Sequence, residues 1–487
     1  MLKSPFIYPL CLGMAATTGC HQNNENAKTT HTPNIIILLA DDMGYNDASA
    51  YRNLNAPVSD QPPTSVTSAI DSLAANGMLF TDFYCGAAVC SPSRAVMLTG
   101  RNATRLGIYN WIPSNSPMHL RSSEITLAEM LKRKDYHTAH FGKWHLTSEN
   151  RDDQPRPNDQ GYDYSFFAYN NARPSHANPE NYFRNGQAVG ELEGYACQLI
   201  VDEAMGWLDT LESGNPFYIN IWFNEPHTKL AAPDSLTEKH TYHKKYYGAI
   251  ENMDIAIGRV MQYLREKQLE DNTIVIFSSD NGSQWPASND PLRGEKCFNF
   301  DGGVRVPFVV KWPGKIPRGK VNYTNGSFAD IFPTLAKITG ALYPENITLD
   351  GEDISLALFE DSTYERKGSI FRYRYFHEPI CMLRDGKWSL LGYENVIPYA
   401  ENYNERELAK FKPAPGEPRW AQWGFQENHM EAIPDIVPVH FELYNLEVDP
   451  GQENDLSADY PEKVEDMKLT MLQLHEEMIT EGGDWFK

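Results

Sequence analysis

Four short apolar runs govern what this chain can fold into. Asn34–Ala40, His137–Phe141, Pro216–Phe223 and Asn272–Ser279 are rich in aliphatic and aromatic residues. Helix-patterned stretches lie between them, among them Ser123–Lys134, Gly194–Leu211 and Tyr246–Lys267. Runs of this length suit strands buried on both faces, and strand–helix alternation builds a parallel sheet. Each run then gives way to polar residues: Asp41-Asp42, Lys143 with His145, His227, and Asp280-Asn281. Open α/β sheets bind ligands at the carboxyl ends of their strands. One such ending would mean little; four on one rim predict a shared site.

The stretch Cys90-Ser91-Pro92-Ser93-Arg94 follows a further strand-like segment, Met78–Tyr84, and runs on to Gly100-Arg101. Proline is tolerated in a first helical turn and glycine favours a C-terminal cap, so a helix is predicted from near Ser91 or Pro92 to Gly100. Cys90 then stands at a helix N-terminus, where unpaired N–H groups and the macrodipole favour negative charge. Taken alone, it reads as a small buried residue. The strand, sharp loop and helix around it also form the geometry that exposes a nucleophile at a sheet edge.

The other polar endings carry similar double readings. Adjacent carboxylates at Asp41 and Asp42 repel each other unless a cation or hydrogen-bond donors compensate, so they mark either a surface turn or a metal site. Lys143 and His145 face one side if extended, as two donors gripping one anion would; otherwise they are a solvated lysine and a packed histidine. Residues 151–193 are rich in Pro, Asn, Asp and aromatics, lack a helical period and contain Arg173, His176 and Arg184. They read as a substrate-binding insertion or a surface loop. The glycines of Asp301-Gly302-Gly303 suggest a tight backbone approach.

Forty-three basic residues against 65 acidic ones leave a formal charge of −22, which argues against general nucleic-acid binding. An anionic substrate is still admissible, because a few cations and a metal in one cleft reverse the local field. Lys3, the apolar stretch Pro5–Ala16 and Thr17-Thr18-Gly19-Cys20 read as an export signal over residues 1–19. Gly19-Cys20 resembles a bacterial lipoprotein cleavage site, with Cys20 lipidated and residues 20–32 as a polar tether; ordinary secretion is the other reading. The expected location is periplasmic or outer-membrane-anchored, with membrane attachment only through that lipid. Cys85, Cys197, Cys297 and Cys381 have no zinc spacing, and one or two bridges would fit an exported protein.

From about residue 365 the pattern changes. Short alternating segments at 370–375, 380–383 and 387–391, a hairpin turn at Arg384-Asp385-Gly386, the strand Phe441–Leu446 and the helix Pro461–Thr480 predict a smaller antiparallel α+β unit. The expected division is a catalytic domain over 33–364 and a C-terminal subdomain over 365–487.

With these pieces placed, the sequence resembles the formylglycine-dependent sulfatases of the alkaline phosphatase superfamily over almost the whole mature chain. Cys90-x-Pro92-x-Arg94, continuing to Thr99-Gly100-Arg101, carries the resemblance, supported by Asp301–Pro307 (with Asp where relatives have Glu) and Glu442–Leu446. It implies a large, mostly parallel mixed sheet flanked by helices, with a smaller C-terminal α+β subdomain. Cys90 would be oxidised to formylglycine (3-oxoalanine) by a formylglycine-generating or anaerobic sulfatase-maturating enzyme, and the hydrated aldehyde would be the nucleophile. Asp41, Asp42, Asp280 and Asn281, together with residue 90, match the ligands of a calcium ion, preferred here over magnesium; such an oxygen set suits a hard cation. Arg94, Lys143, His145, His227 and Lys296 match catalytic positions. Asp280 would assist nucleophile deprotonation, His227 or Lys296 would protonate the leaving oxygen, and His145 would serve the second stage. Thr147 departs from the glycine common in relatives.

The implied reaction is hydrolysis of a sulfate ester on a sulfated oligo- or polysaccharide. An algal galactan such as carrageenan is expected first, ahead of ulvan, fucoidan or a glycosaminoglycan. A phosphonate monoester or phosphodiester hydrolase of the same superfamily is a second reading, against which the Lys143/His145 pair with Lys296 favours sulfate. A non-enzymatic glycan-binding lipoprotein whose Cys90 never matures is a third.

Overall fold

Each of the four apolar runs forms a strand. The computed structural model describes residues 32–54, 59–359, 364–397 and 425–487. The expected export signal, the lipidation site Cys20 and the tether up to residue 31 lie outside the described residues. In chain order the strands begin with β1 (Asn34–Ala40), β2 (Met78–Phe80), β3 (Phe83–Tyr84), β4 (His137–Lys143), β5 (Tyr164–Ala168), β6 (Phe183–Arg184), β7 (Gln187–Ala188) and β8 (Phe217–Trp222). They continue with β9 (Thr273–Ser279), β10 (Phe308–Lys311), β11 (Lys320–Asn322) and β12 (Gly326–Ser327). The C-terminal part adds β13 (Ile370–Tyr373), β14 (Cys381–Asp385), β15 (Trp388–Tyr393) and β16 (His440–Asn445).

Ten strands form one sheet in the order β11-β2-β10-β9-β1-β8-β4-β5-β6-β7. Its centre, β9-β1-β8-β4-β5, is parallel, whereas β10 runs antiparallel to β9 and β2, and β6 antiparallel to β5. All seven residues of β1 are buried, because alternate side chains enter opposite cores. Ile35, Ile37 and Leu39 pack in one core with the Cys90–Thr99 and Phe328–Thr339 helices and the apolar face of the small sheet. Ile36, Leu38 and Ala40 pack in the other with the Ala196–Leu208 and Lys244–Glu266 helices. The strands β13-β14-β15-β16 make the expected antiparallel sheet, followed by the Pro461–Gly482 helix.

Several boundaries differ from the sequence reading for identifiable reasons. The segment 78–84 is two strands in two sheets, broken at Thr81-Asp82, where Asp82 faces Arg305 (3.2 Å) and Arg384 (3.3 Å). The helix expected over 123–134 spans Leu127–Lys132, because Thr126 caps it in a reciprocal capping box with Glu129. Residues 151–193 hold strands β5, β6 and β7, with the parallel pairing of β5 to β4 hidden among prolines and asparagines. The hairpin turn falls one residue later than expected: Asp385 pairs with Trp388 across Gly386-Lys387. Cys85, Cys90, Cys197, Cys297 and Cys381 are all unpaired, so no disulfide joins the described residues. Among those residues no helix is long and apolar enough to cross a membrane.

Candidate active site

The parallel register brings the polar strand ends together. Ala40 pairs with Ser279 and Leu39 with Trp222, so Asp41 and Asp42, Asp280 and Asn281, and the loop from Asn224 to His227 leave the sheet side by side. Backbone bonds continue that pairing past the strands, from Asp280 N–H to the Ala40 carbonyl (3.1 Å) and from Asp41 N–H to the Glu225 carbonyl (2.9 Å). The turn after β1 is braced from below. Met43 N–H donates to Ser279 Oγ (2.9 Å), Gly44 N–H to Asp47 Oδ2 (2.8 Å), and Tyr246 OH to that same carboxylate. Asp42 and His145 sit in the left-handed backbone region, at φ 66° and 55°. Aspartate and histidine enter that region more readily than most residues other than glycine, and such positions persist where surrounding structure fixes them, often at functional sites.

Cys90 opens the Cys90–Thr99 helix, every residue of which is buried, and Gly100 closes it in a left-handed cap at φ 70°. The helix begins at Cys90 rather than at Ser91 or Pro92; Pro92 still falls in the first turn, where its missing N–H costs no helical bond. Arg94, one turn on, is wholly buried. It donates from Nε (2.9 Å) and Nη2 (2.7 Å) to Asp280 Oδ2 and from Nη1 to the Lys143 carbonyl (3.0 Å), while its guanidinium lies 5.2 Å from the Trp222 ring centre. Lys143 Nζ reaches Asp41 Oδ2 (2.7 Å), Asn171 Oδ1 (3.1 Å) and Cys90 Sγ (3.6 Å). Lys296 Nζ donates to Asp42 Oδ2 (2.6 Å), and His227 Nε2 lies 3.3 Å from the same oxygen. Lys296 and His227 are partly exposed, whereas Asp41, Arg94 and Lys143 are sealed, so the cluster opens to solvent on the Lys296 and His227 side.

Three buried carboxylates, Asp41, Asp42 and Asp280, thus face three cations, Arg94, Lys143 and Lys296. Burial opposes ionisation of Asp41, but Lys143, His227 and Arg94 outweigh it and hold the carboxyl well below its usual range. Burial raises Asp280 to about 7 against the pull of Arg94. Burial likewise pushes the Cys90 thiol up, against Lys143 and Lys296, so it is held as a thiol and not a thiolate. Burial and then Lys296 lower His227, and burial, Lys143 and Arg94 lower His145, leaving both imidazoles neutral.

The donor set fits a divalent cation. Asp41 Oδ1 and Asn281 Oδ1 are buried without a hydrogen-bond partner, although Arg94 Nη2 stands 3.4 Å from the former. Ligand atoms of Asp41, Cys90 and Asp280 lie within 4.8 Å of one another, as do those of Asp42, Cys90 and His227. Unpaired buried oxygens cost free energy unless something electropositive meets them, and hard oxygen donors select calcium or magnesium over soft metals.

Hydrogen-bond partners set what each histidine can offer. His145 Nε2 lies 3.1 Å from the Ile112 carbonyl and His227 Nδ1 2.9 Å from the Thr228 carbonyl. A carbonyl only accepts, so His145 Nε2 carries its proton and Nδ1 is the acceptor. His227 Nδ1 also lies 3.2 Å from the Thr228 hydroxyl and its Nε2 3.3 Å from the acceptor-only Asp42 Oδ2, which suits Nδ1 accepting from that hydroxyl and a proton on Nε2.

The three residues singled out between 151 and 193 are placed elsewhere. Arg173 is half exposed and paired with Glu149, and Arg184 on β6 is bonded through Nε and Nη2 to Glu203 (2.6 and 2.7 Å). His176 is buried, 3.9 Å from Glu225 Oε1, in the layer behind His227. The same segment supplies a contact that sequence reasoning did not name, Asn171 to Lys143. The only hint was the Asn-Asn pair following a short aromatic run. Thr147 accepts from Trp144 Nε1 (3.0 Å) and donates to the Pro155 carbonyl, so that departure from the family pattern braces the Lys143 loop. The tight approach expected at Gly302-Gly303 is real: a Cβ on Gly303 would stand 2.0 Å from the Phe298 carbonyl oxygen. Glu442 of the C-terminal block accepts from Tyr393 and Tyr444 hydroxyls within the small sheet.

Comparison with known proteins gives a consistent set of relatives. Residues 33–341 match the family model described as Sulfatase. The chain is similar to the N-acetylgalactosamine-6-sulfatase of Sus scrofa, 31% identical over 376 residues, covering 70% of this chain and 68% of the relative. It is likewise 31% identical to arylsulfatase A of Bos taurus over 393 residues, 73% of this chain and 74% of the relative. Among solved structures, Ps i-CgsB in complex with k-i-k-neocarrahexaose superposes with a TM-score of 0.73 at 25% identity, covering 91% of this chain and 93% of that one.

Proposed function

The chain belongs to the sulfatase family and is a sulfuric ester hydrolase, and from that premise we propose that it removes sulfate from a sulfated saccharide with residue 90 as nucleophile. The observation that carries this reading is the position of Cys90 Sγ, 3.6 Å from Lys143 Nζ and 4.0 Å from Asp42 Oδ1, inside a cluster of balanced buried charge. In this reading Cys90 is converted to formylglycine, whose hydrate offers one hydroxyl to attack sulfur and a second whose deprotonation later expels sulfate and restores the aldehyde. A thiol held protonated by burial is a poor nucleophile, which supports that conversion.

Asp41, Asp42, Asp280 and Asn281 would hold the divalent cation, calcium first. When bound, it supplies positive charge that neutralises the sulfate ester and lowers the barrier to nucleophilic approach. The chain's own cations do the same from the other sides. Lys143 is held against the nucleophile by Asp41 and Asn171, Arg94 is locked on Asp280 at the helix, and Lys296 stands at the solvent opening where an anionic group enters. Such fixed donors stabilise developing charge without reorganising, and each is worth about 10²–10³ in rate where measured. With Nδ1 accepting from the Thr228 hydroxyl and Nε2–H facing Asp42 Oδ2 at the opening, His227 would give its Nε2 proton to the leaving oxygen. His145, with Nδ1 unbonded, accepts one in the second stage.

The neighbour holding a neocarrahexaose favours a galactan, carrageenan first, with ulvan and fucoidan behind it, whereas the relative named for N-acetylgalactosamine 6-sulfate favours a glycosaminoglycan as the next choice. The leader pattern and Gly19-Cys20 favour action outside the cytoplasm on a lipid anchor. Desulfation of a panel of sulfated oligosaccharides by enzyme co-produced with a maturating enzyme tests the reading. Inorganic sulfate should appear, with a position preference; faster cleavage of phosphonate monoesters or phosphodiesters would overturn it.

A further inference from the structure

The turn joining β13 to β14 carries a cation that no acidic side chain among the described residues neutralises. Arg374 is 4% exposed. Its backbone N–H donates to the Ile380 carbonyl (2.8 Å) and its Nη1 to Asn110 Oδ1 (2.9 Å), while Nε is buried with no hydrogen-bond partner. Arg372, two residues earlier, also lacks a carboxylate but spends its nitrogens on the Cys85 and Phe371 carbonyls and Ser327 Oγ, at 2.7–2.8 Å. Arg372 is thus a fully used structural strap, whereas Arg374 retains donor capacity. Buried guanidinium groups are costly unless paired, so an arginine held in this state is poised for an anion.

Its location gives that anion an identity. Asn110 stands two residues, at most ~7 Å of chain, from Ile112. The Ile112 N–H donates to Ser91 Oγ (3.0 Å), beside Cys90, and its carbonyl holds His145 Nε2. On the other flank, Asn299 Nδ2 donates to the Pro379 (3.2 Å) and Ile380 (3.0 Å) carbonyls, and the Phe298 ring, two residues past Lys296, lies 5.0 Å from that of His377. The turn is therefore clamped between the loop that holds His145 and the loop that carries Lys296. Burial and then Arg374 itself lower both His377 and His429, so neither imidazole carries a charge that competes with the guanidinium. Glu378, buried in the same turn, accepts instead from the Glu394 (3.2 Å) and Asn395 (2.9 Å) N–H groups.

We propose that Arg374 is a specificity-determining residue that binds a second anionic substituent of the substrate, a sulfate or carboxylate on the same or the adjoining sugar, while the ester at residue 90 is hydrolysed. This rests on the sulfated-saccharide reading above. A guanidinium fork matches the paired oxygens of either anion, and an aryl sulfate has nothing to place there.

The test compares KM and kcat of the mature full-length enzyme on matched oligosaccharides that differ only by one additional sulfate, and on a pair in which a uronate carboxylate replaces it. Wild-type enzyme should show a KM at least about tenfold lower for the dianionic member, the scale of one charge-assisted hydrogen-bonded pair. Arg374→Met should erase that ratio through KM with kcat changed less than about threefold, and Arg374→Lys should restore part of it. The sulfate and carboxylate pairs tell which anion is preferred. A Met variant that keeps the wild-type KM ratio, or loses activity equally on all substrates together with a lowered Tm, would assign Arg374 to folding and overturn the proposal. A wild-type enzyme that desulfates these saccharides without preferring the second anion would overturn it alone and leave the substrate reading standing. Hydrolysis of aryl sulfate with no release from any saccharide would overturn both.

Discussion

Arg94 offers the sharpest separation between charge and geometry at the site. Its side chain makes two charge-assisted bonds to one oxygen of Asp280 (2.9 and 2.7 Å) and one bond to the Lys143 carbonyl (3.0 Å), all sealed from solvent. Arg94→Met keeps most of the volume but leaves the Asp280 carboxylate without its partner, and breaking a buried pair in this way costs about 3–5 kcal/mol. Arg94→Lys keeps the charge but not the fork, losing bonds worth about 1.5–3 kcal/mol. For a folded unit of this length, the usual unfolding entropy per residue converts these costs to roughly 1 °C of Tm per kcal/mol. Thermal unfolding followed by circular dichroism should therefore fall by about 3–5 °C for Met and about 2–3 °C for Lys. Sulfate release should drop at least about 10³-fold in kcat/KM for both, because neither presents the fork that fixes Asp280 and the Lys143 loop. A lysine variant with wild-type Tm and wild-type turnover would refute the reasoning.

Calcium at 100 times its Kd should stabilise the mature protein by about 2.7 kcal/mol, a Tm rise of roughly 3 °C. The rise should be larger than with magnesium at the same concentration and be lost in Asp41→Asn/Asp280→Asn, with chelation abolishing sulfate release; an unchanged rise in the double variant would displace the metal from this cluster. His140 is buried among Trp144, Trp222 and Tyr162, and burial followed by Arg94 lowers its pKa to about 3. The unfolded chain takes up that proton near pH 6.5 and the folded one does not, so stability falls as pH drops from about 6.5 toward 3, by up to about 1.4 kcal/mol per pH unit. His140→Phe should flatten that limb of the urea-denaturation stability profile by this amount, and a profile parallel to wild type would contradict it. Asn171→Ala removes one of the acceptors holding Lys143 and should lower kcat by about tenfold while leaving Tm within about 1 °C, measured by sulfate release and thermal unfolding; an unchanged kcat would remove Asn171 from the site.

What the sequence made legible follows from how local each signal is. Asp41-Asp42 and Asp280-Asn281 could be placed because each directly ends an apolar run, and the parallel register of β1 and β9 did the rest. Asn171 was hidden because the strand it follows, β5, is five residues long and sits among prolines and asparagines. Its pairing to β4 is a tertiary event with no periodic signature. Trp222 beneath Arg94 was hidden for a similar reason, since a tryptophan ending a buried strand reads as core whether or not a guanidinium stacks on it. The break at Thr81-Asp82 depends on two arginines, Arg305 and Arg384, distant in sequence. Arg184 looked like a substrate ligand by composition, but Glu203, nineteen residues on, pairs with it. Arg374 stands out only in the folded chain, because the lack of a neighbouring acid is a property of packing.

The central claim is that the working group at residue 90 is no longer a thiol, and it is tested most directly by mass spectrometry of the peptide spanning Cys90. Enzyme co-produced with a formylglycine-generating enzyme should be compared with enzyme produced without it, and sulfate release measured on the same samples. The account predicts an aldehyde at residue 90, captured by a hydrazide reagent, with activity proportional to the aldehyde fraction and extrapolating to zero when all of residue 90 is cysteine. Full turnover by protein whose residue 90 is entirely unmodified cysteine would contradict it.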